Sequence, residues 1–171
     1  MKIIKLLIQR QFVANIITFF LFSIIITYLS NKLPDSIYSA KSWLLKERSW
    51  ERKGMIYQRI LKVKCWKRYL PELSDFVKSV FPKRQIKEFS KNYLQKFLYE
   101  SCKSEVTHWC IILSSLLFYF GNEFGSASLM LAIAVIINLP YIIIQRYNRS
   151  RIMEVVESIE SHHSKLSALK V

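Results

Sequence analysis

The sequence predicts an all-α membrane protein with an N-terminal membrane helix, a basic helical region at the membrane interface and a C-terminal transmembrane helical hairpin. Three observations carry this. Segments 11–31, 106–122 and 124–145 of the 171-residue chain contain no Asp, Glu, Lys or Arg, and each can span or enter a bilayer, whose hydrocarbon core takes about 20 residues of helix. Gly occurs only 3 times and hydrophobic residues make up 51% of the chain, which argues against disorder. The 26 Lys and Arg stand against 12 Asp and Glu, for a formal net charge of +14, and all lie outside those segments. An ordinary soluble globular domain is excluded. Such a basic chain, tethered by apolar segments, points to an anionic membrane surface or a phosphorylated substrate rather than to nucleic acid.

Residues 1–31 form the first element. A short basic stretch with Lys2, Lys5 and Arg10 precedes an apolar core. The pattern superficially matches a signal peptide, but the core is long for one and no small-x-small cleavage site follows Leu29. It is read as a retained membrane helix that spans, tilts or re-enters, with cleavage as the alternative.

Residues 32–105 form the basic middle region, with aromatics interleaved among its charges from Tyr38 to Tyr99. Long cationic side chains mixed with aromatics suit a surface at headgroup level. Single-stranded nucleic acid would use the same ingredients, a minor alternative for a membrane-tethered chain. Within 85–103, Ile86, Phe89, Tyr93, Leu94, Phe97 and Leu98 follow helical spacing and predict an amphipathic interfacial helix. Prolines 34, 71 and 82 mark breaks between shorter helices.

Residues 106–152 form the hairpin. The connection around Gly121-Asn122-Glu123 is too short for anything but an antiparallel return, which puts Glu105, His108 and Trp109 on the same membrane side as Gln145 to Arg151. Residues 153–171 are a polar tail. Placing the middle region and tail in the cytoplasm puts 23 of the 26 basic residues inside, as the positive-inside rule prefers.

Cys65, Cys102 and Cys110 form no CxxC pair, so neither a disulfide framework nor structural zinc is expected. Glu105 and His108 are spaced i, i+3 and share a helical face. A carboxylate beside an imidazole can fix its tautomer and support proton transfer. Spacing alone favours the plainer alternative, an interfacial histidine with an acidic neighbour. The His162-His163 pair lies in the polar tail and reads as solvated. No further ligands are spaced for a metal, and no cofactor is expected.

Arginines closing a membrane helix anchor it and complement its dipole, which accounts for Arg146, Arg149 and Arg151. It does not account for Asn138 inside the apolar segment. A polar side chain there needs a partner within the bundle, and Pro140 frees a backbone carbonyl nearby.

The run Asn138-Leu139-Pro140 through Gln145-Arg146-Tyr147-Asn148-Arg149-Ser150-Arg151 resembles the C-terminal signature of a small bacterial family. That family is the glycosyl-4,4'-diaponeurosporenoate acyltransferases, which act at the last step of staphyloxanthin-type carotenoid synthesis. Glu105-x-x-His108-Trp109 matches its other recurrent motif. Leu33-Pro34-Asp35, Trp50-Glu51-x-x-Gly54 and Val63-x-x-Trp66-Lys67 agree more weakly, and the resemblance covers roughly residues 33–152.

It implies a membrane enzyme that esterifies a sugar hydroxyl of a glycosylated lipid with a fatty acyl group. The partners implied are a fatty acyl donor (acyl-CoA or acyl carrier protein), a glycolipid acceptor and membrane lipids. The site would lie at the cytoplasmic interface of a bacterial cell membrane. His108 is then the expected base, with Glu105 orienting it. Arg146, Asn148 and Arg149 are expected to bind donor phosphates or polarise the acyl carbonyl. Asn138, Gln145, Tyr147, Arg151, Trp109, Trp66 and Lys67 complete the substrate-binding set. No serine-centred or His-x4-Asp signature is present, so direct transfer is expected, with Cys102 and Cys110 leaving an acyl-enzyme open. The competing class is a non-catalytic membrane adaptor or assembly subunit holding anionic lipid or a partner enzyme; composition fits it equally, but it does not need the Glu105/His108 pair.

Overall fold

The computed structural model describes residues 2–78, 80–83 and 86–168, with side chains described over 9–159 within those bounds and at Ser161. All regular structure among the described residues is helical. It comprises α1 (Lys2–Ser30), α2 (Met55–Leu61), α3 (Val63–Trp66), α4 (Leu73–Phe76), α5 (Lys91–Ser114) and α6 (Phe124–Ala168). Short 3₁₀ turns lie at Asp35–Tyr38, Ser49–Glu51, Lys67–Tyr69 and Ser115–Phe120. The chain divides into two compact units, Met1–Leu33 with Val106–Ile142, and Pro34–Glu105 with Ile143–Val171. Both α5 and α6 run through this division.

In the first unit, α1 and α6 are the helices long and apolar enough to cross a membrane, over Gln9–Ser30 and Phe124–Ile159. Phe20, Leu21, Ile24 and Ile25 of α1 are all exposed, an arrangement suited to lipid rather than water. Ser23 and Thr27 of α1 bond back to their own helix: Ser23 Oγ donates to the Phe19 carbonyl at 2.9 Å and Thr27 Oγ1 to that of Ser23 at 2.7 Å. That satisfies them without a partner helix.

The apolar segment 106–122 does not form a third such helix. It is divided between the end of α5 and the 3₁₀ turn Ser115–Phe120. It packs instead as the short arm of a hairpin: Ile111 and Phe118 are buried against Ala127, Met130 and Ala134 of α6 and Phe19 of α1. The small alanines allow that close approach. Asn122 in the turn pins the hairpin to α1, its Oδ1 accepting from Asn15 Nδ2 at 2.7 Å and from Gln11 Nε2 at 3.0 Å.

In the second unit, α2 and α3 with the turn that follows pack against the later part of α6. Tyr57 and Val63 are buried with Ile144 and Tyr147, and Leu94 and Phe97 of α5 are buried with Ile152 and Val156 of α6. Two sequence expectations change here. The amphipathic helix begins at Lys91, not near residue 85, because Ser90 starts it: the Ser90 carbonyl accepts from the Leu94 amide at 3.0 Å, and its Oγ accepts from the Tyr93 amide at 3.4 Å, an N-cap arrangement. Ile86 to Ser90 lie outside regular structure, and Gln85 lies outside the described residues. Leu94 and Phe97 of the apolar stripe are buried against α6, whereas Phe89 is exposed.

Gly54 has φ +75°, and a Cβ there would stand 3.1 Å from the Tyr147 carbonyl oxygen and 3.5 Å from Ser150 Cβ. Glycine serves both the left-handed turn and the close backbone approach.

Candidate functional site

The second unit holds a four-residue ionic network. Arg146 reaches it from α6 and spends every guanidinium nitrogen on protein. Its Nε donates to Glu105 Oε1 at 2.7 Å, its Nη1 to Glu51 Oε1 at 2.6 Å and its Nη2 to the Leu44 carbonyl at 3.1 Å. Arg149, one turn on, places Nη1 2.6 Å from Glu105 Oε2, an ion pair without a well-aligned hydrogen bond. The same Nη1 lies 3.8 Å from Cys102 Sγ, and Nη2 donates to the Leu45 carbonyl at 2.9 Å. Glu105, Glu51 and Arg149 are 0%, 1% and 2% exposed. Two carboxylates and two guanidinium groups close to neutrality, the condition under which buried charge is tolerated. Tyr57 donates its hydroxyl to Glu51 Oε2 at 3.0 Å, and burial together with the Glu51 charge pushes its pKa up.

The first unit holds a separate pair. His108 Nδ1 lies 2.8 Å from Asn138 Oδ1, and Asn138 Nδ2 donates to the Ala134 carbonyl at 2.8 Å. With its NH₂ group turned to the backbone, Asn138 presents only its oxygen to the ring. Nδ1 therefore carries a proton, an assignment made from the hydrogen-bond network, and in the neutral tautomer the lone pair is on Nε2. Tyr141 lies flat on the imidazole, with centroids 4.9 Å apart and planes 10° from parallel. Asn138 is buried, which answers the question of what a polar group does at that depth. His108 is half-buried and Trp109 partly exposed.

The remaining sequence-derived residues lie in the second unit. Tyr147 is buried with cations near its ring, Lys67 Nζ 5.3 Å and the Arg151 guanidinium 5.5 Å from the centroid. Its hydroxyl accepts from Arg151 Nη1 at 2.9 Å. Asn148 accepts from Lys67 Nζ and donates to the Lys83 carbonyl, both at 3.0 Å. Gln145 is buried; its backbone carbonyl accepts from Ser101 Oγ at 3.2 Å, and its side-chain Oε1 has no hydrogen-bond partner among the described residues. Trp66 Nε1 donates to the Leu61 carbonyl at 2.7 Å. The side chains of His162 and His163 lie outside the described residues. Among the described residues no group of three or more His, Cys, Asp and Glu is placed to hold a metal.

The family model for glycosyl-4,4'-diaponeurosporenoate acyltransferase matches residues 40–158, a span that includes the ionic network and the His108–Asn138 pair. The chain belongs to this acyltransferase family. Curated relatives of that name occur in Staphylococcus. One from Staphylococcus haemolyticus strain JCSC1435 is 26% identical over 71% of this chain and 70% of its own. One from Staphylococcus aureus strain MRSA252 is 24% identical over 94% of this chain and 96% of its own. No solved structure matches the chain.

Sequence reasoning left Glu51 outside the site, although it noted the Trp50-Glu51-x-x-Gly54 segment. The signal was available as charge arithmetic. Arg146 and Arg149 converge on one nearby acid, Glu105, and burying both requires a second carboxylate. Tyr141, within the quoted run, was also not singled out; its place three residues after Asn138 is not enough to reveal a ring stacked on His108.

Proposed function

We propose that this acyltransferase esterifies a sugar hydroxyl of a glycosylated carotenoid with a fatty acyl group, with His108 as general base at the cytoplasmic interface of a bacterial membrane. The acceptor class follows the name its relatives carry. The observation that supports the catalytic assignment is the Asn138–His108 bond, which directs a proton to Nδ1 and so makes Nε2 the basic nitrogen of the neutral ring.

The steps balance on that one atom. As the sugar oxygen attacks the acyl carbonyl, its proton passes to Nε2 and a tetrahedral oxyanion forms. The oxyanion collapses, the new ester bond remains, and the bond from acyl carbon to leaving group breaks. The leaving group takes the proton from the imidazolium, which returns His108 to its starting state. Asn138 and Tyr141 keep the ring in place throughout, so little reorganisation is needed during proton transfer.

Glu105 serves a different end from the orienting role expected of it. Its carboxylate neutralises Arg146 and Arg149 and so ties α5 to α6 within the second unit, three residues before His108 on the same helix. Arg146, whose guanidinium nitrogens are all committed, and Arg149, held on Glu105 and the Leu45 carbonyl, are likewise positioning residues. Direct transfer is favoured over an acyl-enzyme at Cys102, because that thiol is fully buried and burial pushes its pKa up, the opposite of a reactive cysteine.

The test is a mass profile of pigments and lipids from cells with and without the gene. A fatty acyl increment on a glycosylated carotenoid, present only with the gene, is the expected result. Unchanged glycosides would end the proposal.

A further inference from the structure

A cavity of about 710 Å³ lies in the second unit, and its walls are sorted by chemistry. Lys67, Asn148 and Arg151 occupy one part; Phe97, Val155 and Ile159 occupy another. On α6 the lining residues Asn148, Arg151, Val155 and Ile159 recur at helical spacing, so the wall is one stripe of the helix. Over its eleven residue steps the stripe runs about 16 Å, cationic at the Asn148 end and apolar at the Ile159 end. Ile86 and Phe89 extend the apolar side.

The cations are held without being neutralised. Tyr147 lies against both, and Asn148 fixes the Lys67 ammonium. Among the described residues neither Lys67 nor Arg151 has a carboxylate within ion-pair distance. This differs from Arg146 and Arg149, whose charges are met by Glu51 and Glu105. Glu154, the one acid in the cavity wall, pairs with Lys53 at 2.8 Å. Burial pushes the Lys67 pKa down, and the Arg151 charge adds to it. Glu72 opposes both effects, and the site is left with an excess of positive charge at one end and an apolar lining at the other.

We propose that this cavity binds the acyl donor as a small phosphorylated thioester of the acyl-CoA class, its phosphates on Lys67 and Arg151 and its acyl chain along Phe97, Val155 and Ile159. Charge decides donor over acceptor: a sugar ester of a carotenoid acid offers no anion, whereas a coenzyme A thioester carries several phosphate charges. It also decides among donors. Two cations without an ion-paired carboxylate, with Lys64 adding to them and Glu72 opposing, match a diphosphate better than the single phosphodiester that links a carrier protein to its acyl group. Arg151 suits phosphate through its planar donor fork, and Lys67 as a point charge.

The inference rests on the acyltransferase reading, so binding is measured apart from turnover. The probe is palmitoyl-CoA titrated into the full chain in phosphatidylcholine nanodiscs, which present no competing anionic lipid. Lys67→Gln and Arg151→Gln should each weaken binding about tenfold or more, the scale of a lost charge-assisted hydrogen bond. Palmitoyl-pantetheine, which lacks the phosphates, should bind as weakly as those variants do and be insensitive to both substitutions. Ser158→Trp, at an exposed position of the cavity wall, should weaken palmitoyl-CoA but not acetyl-CoA. His108→Ala should bind palmitoyl-CoA normally. A chain that binds in this pattern yet transfers nothing would refute the reaction and keep the site. Unchanged palmitoyl-CoA affinity in Lys67→Gln and Arg151→Gln, equal affinity for palmitoyl-pantetheine, or binding only of an acylated carrier protein would each overturn it.

Discussion

Asn138 holds His108 by its side-chain oxygen at 2.8 Å while its own amide nitrogen is anchored on the Ala134 carbonyl one turn back. The amide cannot rotate without losing a buried bond, so it acts as a fixed acceptor for the Nδ1 proton. Asn138→Ala should lower kcat about tenfold, near the worth of one neutral hydrogen bond, with the protein still monodisperse and inserted. Asn138→Asp keeps the acceptor and should retain more activity than the alanine variant. Equal rates in all three proteins would remove the orienting role.

The ionic network makes a prediction about folding rather than rate. Glu105→Gln leaves Arg149 buried beside a neutral amide, and stranding one charge of a buried pair costs about 3–5 kcal/mol. The variant should show a clear fall in Tm by intrinsic fluorescence in detergent. Adding Arg149→Met restores neutrality and should recover much of the loss. If Glu105→Gln melts like the parent, the network is not what ties α5 to α6.

The pH dependence follows from Lys67. Its pKa in the folded chain lies below the ordinary 10.5, first because of burial and then because of Arg151, with Lys64 acting the same way and Glu72 opposing. Between that lowered value and 10.5 the unfolded chain binds more protons, so this residue makes the unliganded protein more stable as pH rises through the window. Anion binding needs the charged ammonium and should weaken over the same window. Palmitoyl-CoA affinity should therefore fall at alkaline pH below 10.5 in the parent and stay flat in Lys67→Gln. Parallel profiles for the two proteins would contradict the assignment.

Topology can be read with an impermeant thiol reagent. In a background lacking the native cysteines, Glu123→Cys at the hairpin turn should label in intact cells and Glu157→Cys should not. Both positions are exposed on the protein, so the difference reports the membrane. The reverse pattern would place the basic region outside the cytoplasm.

Of the three charge-free runs, 106–122 is divided between α5 and a 3₁₀ turn. The other two were legible in the sequence as the apolar helices of α1 and α6, because a bilayer-length apolar helix needs no tertiary information to declare itself. The middle region was not. Its short helices follow from caps and left-handed turns such as Gly54, and the start of α5 depends on Ser90 bonding, which spacing of Ile86 and Phe89 with Leu94 and Phe97 obscured. The same limit applied to the site. His108, Glu105 and Asn138 were all singled out, but their pairing was assigned along one helix when it runs between helices. Two nearby guanidinium groups take the Glu105 carboxylate in place of the imidazole, and the Glu51–Arg146 contact spans 95 residues of sequence, a separation at which no local pattern speaks.

The most direct measurement of the central claim is acyl transfer by His108→Ala. The purified protein in lipid nanodiscs, given an acyl donor and a glycosylated carotenoid, is followed by acylated product per unit time. The parent should turn over, and the variant, inserted and still binding donor, should be slower by at least ~100-fold, the scale of lost acid-base catalysis. Undiminished turnover by His108→Ala would contradict the general-base assignment outright.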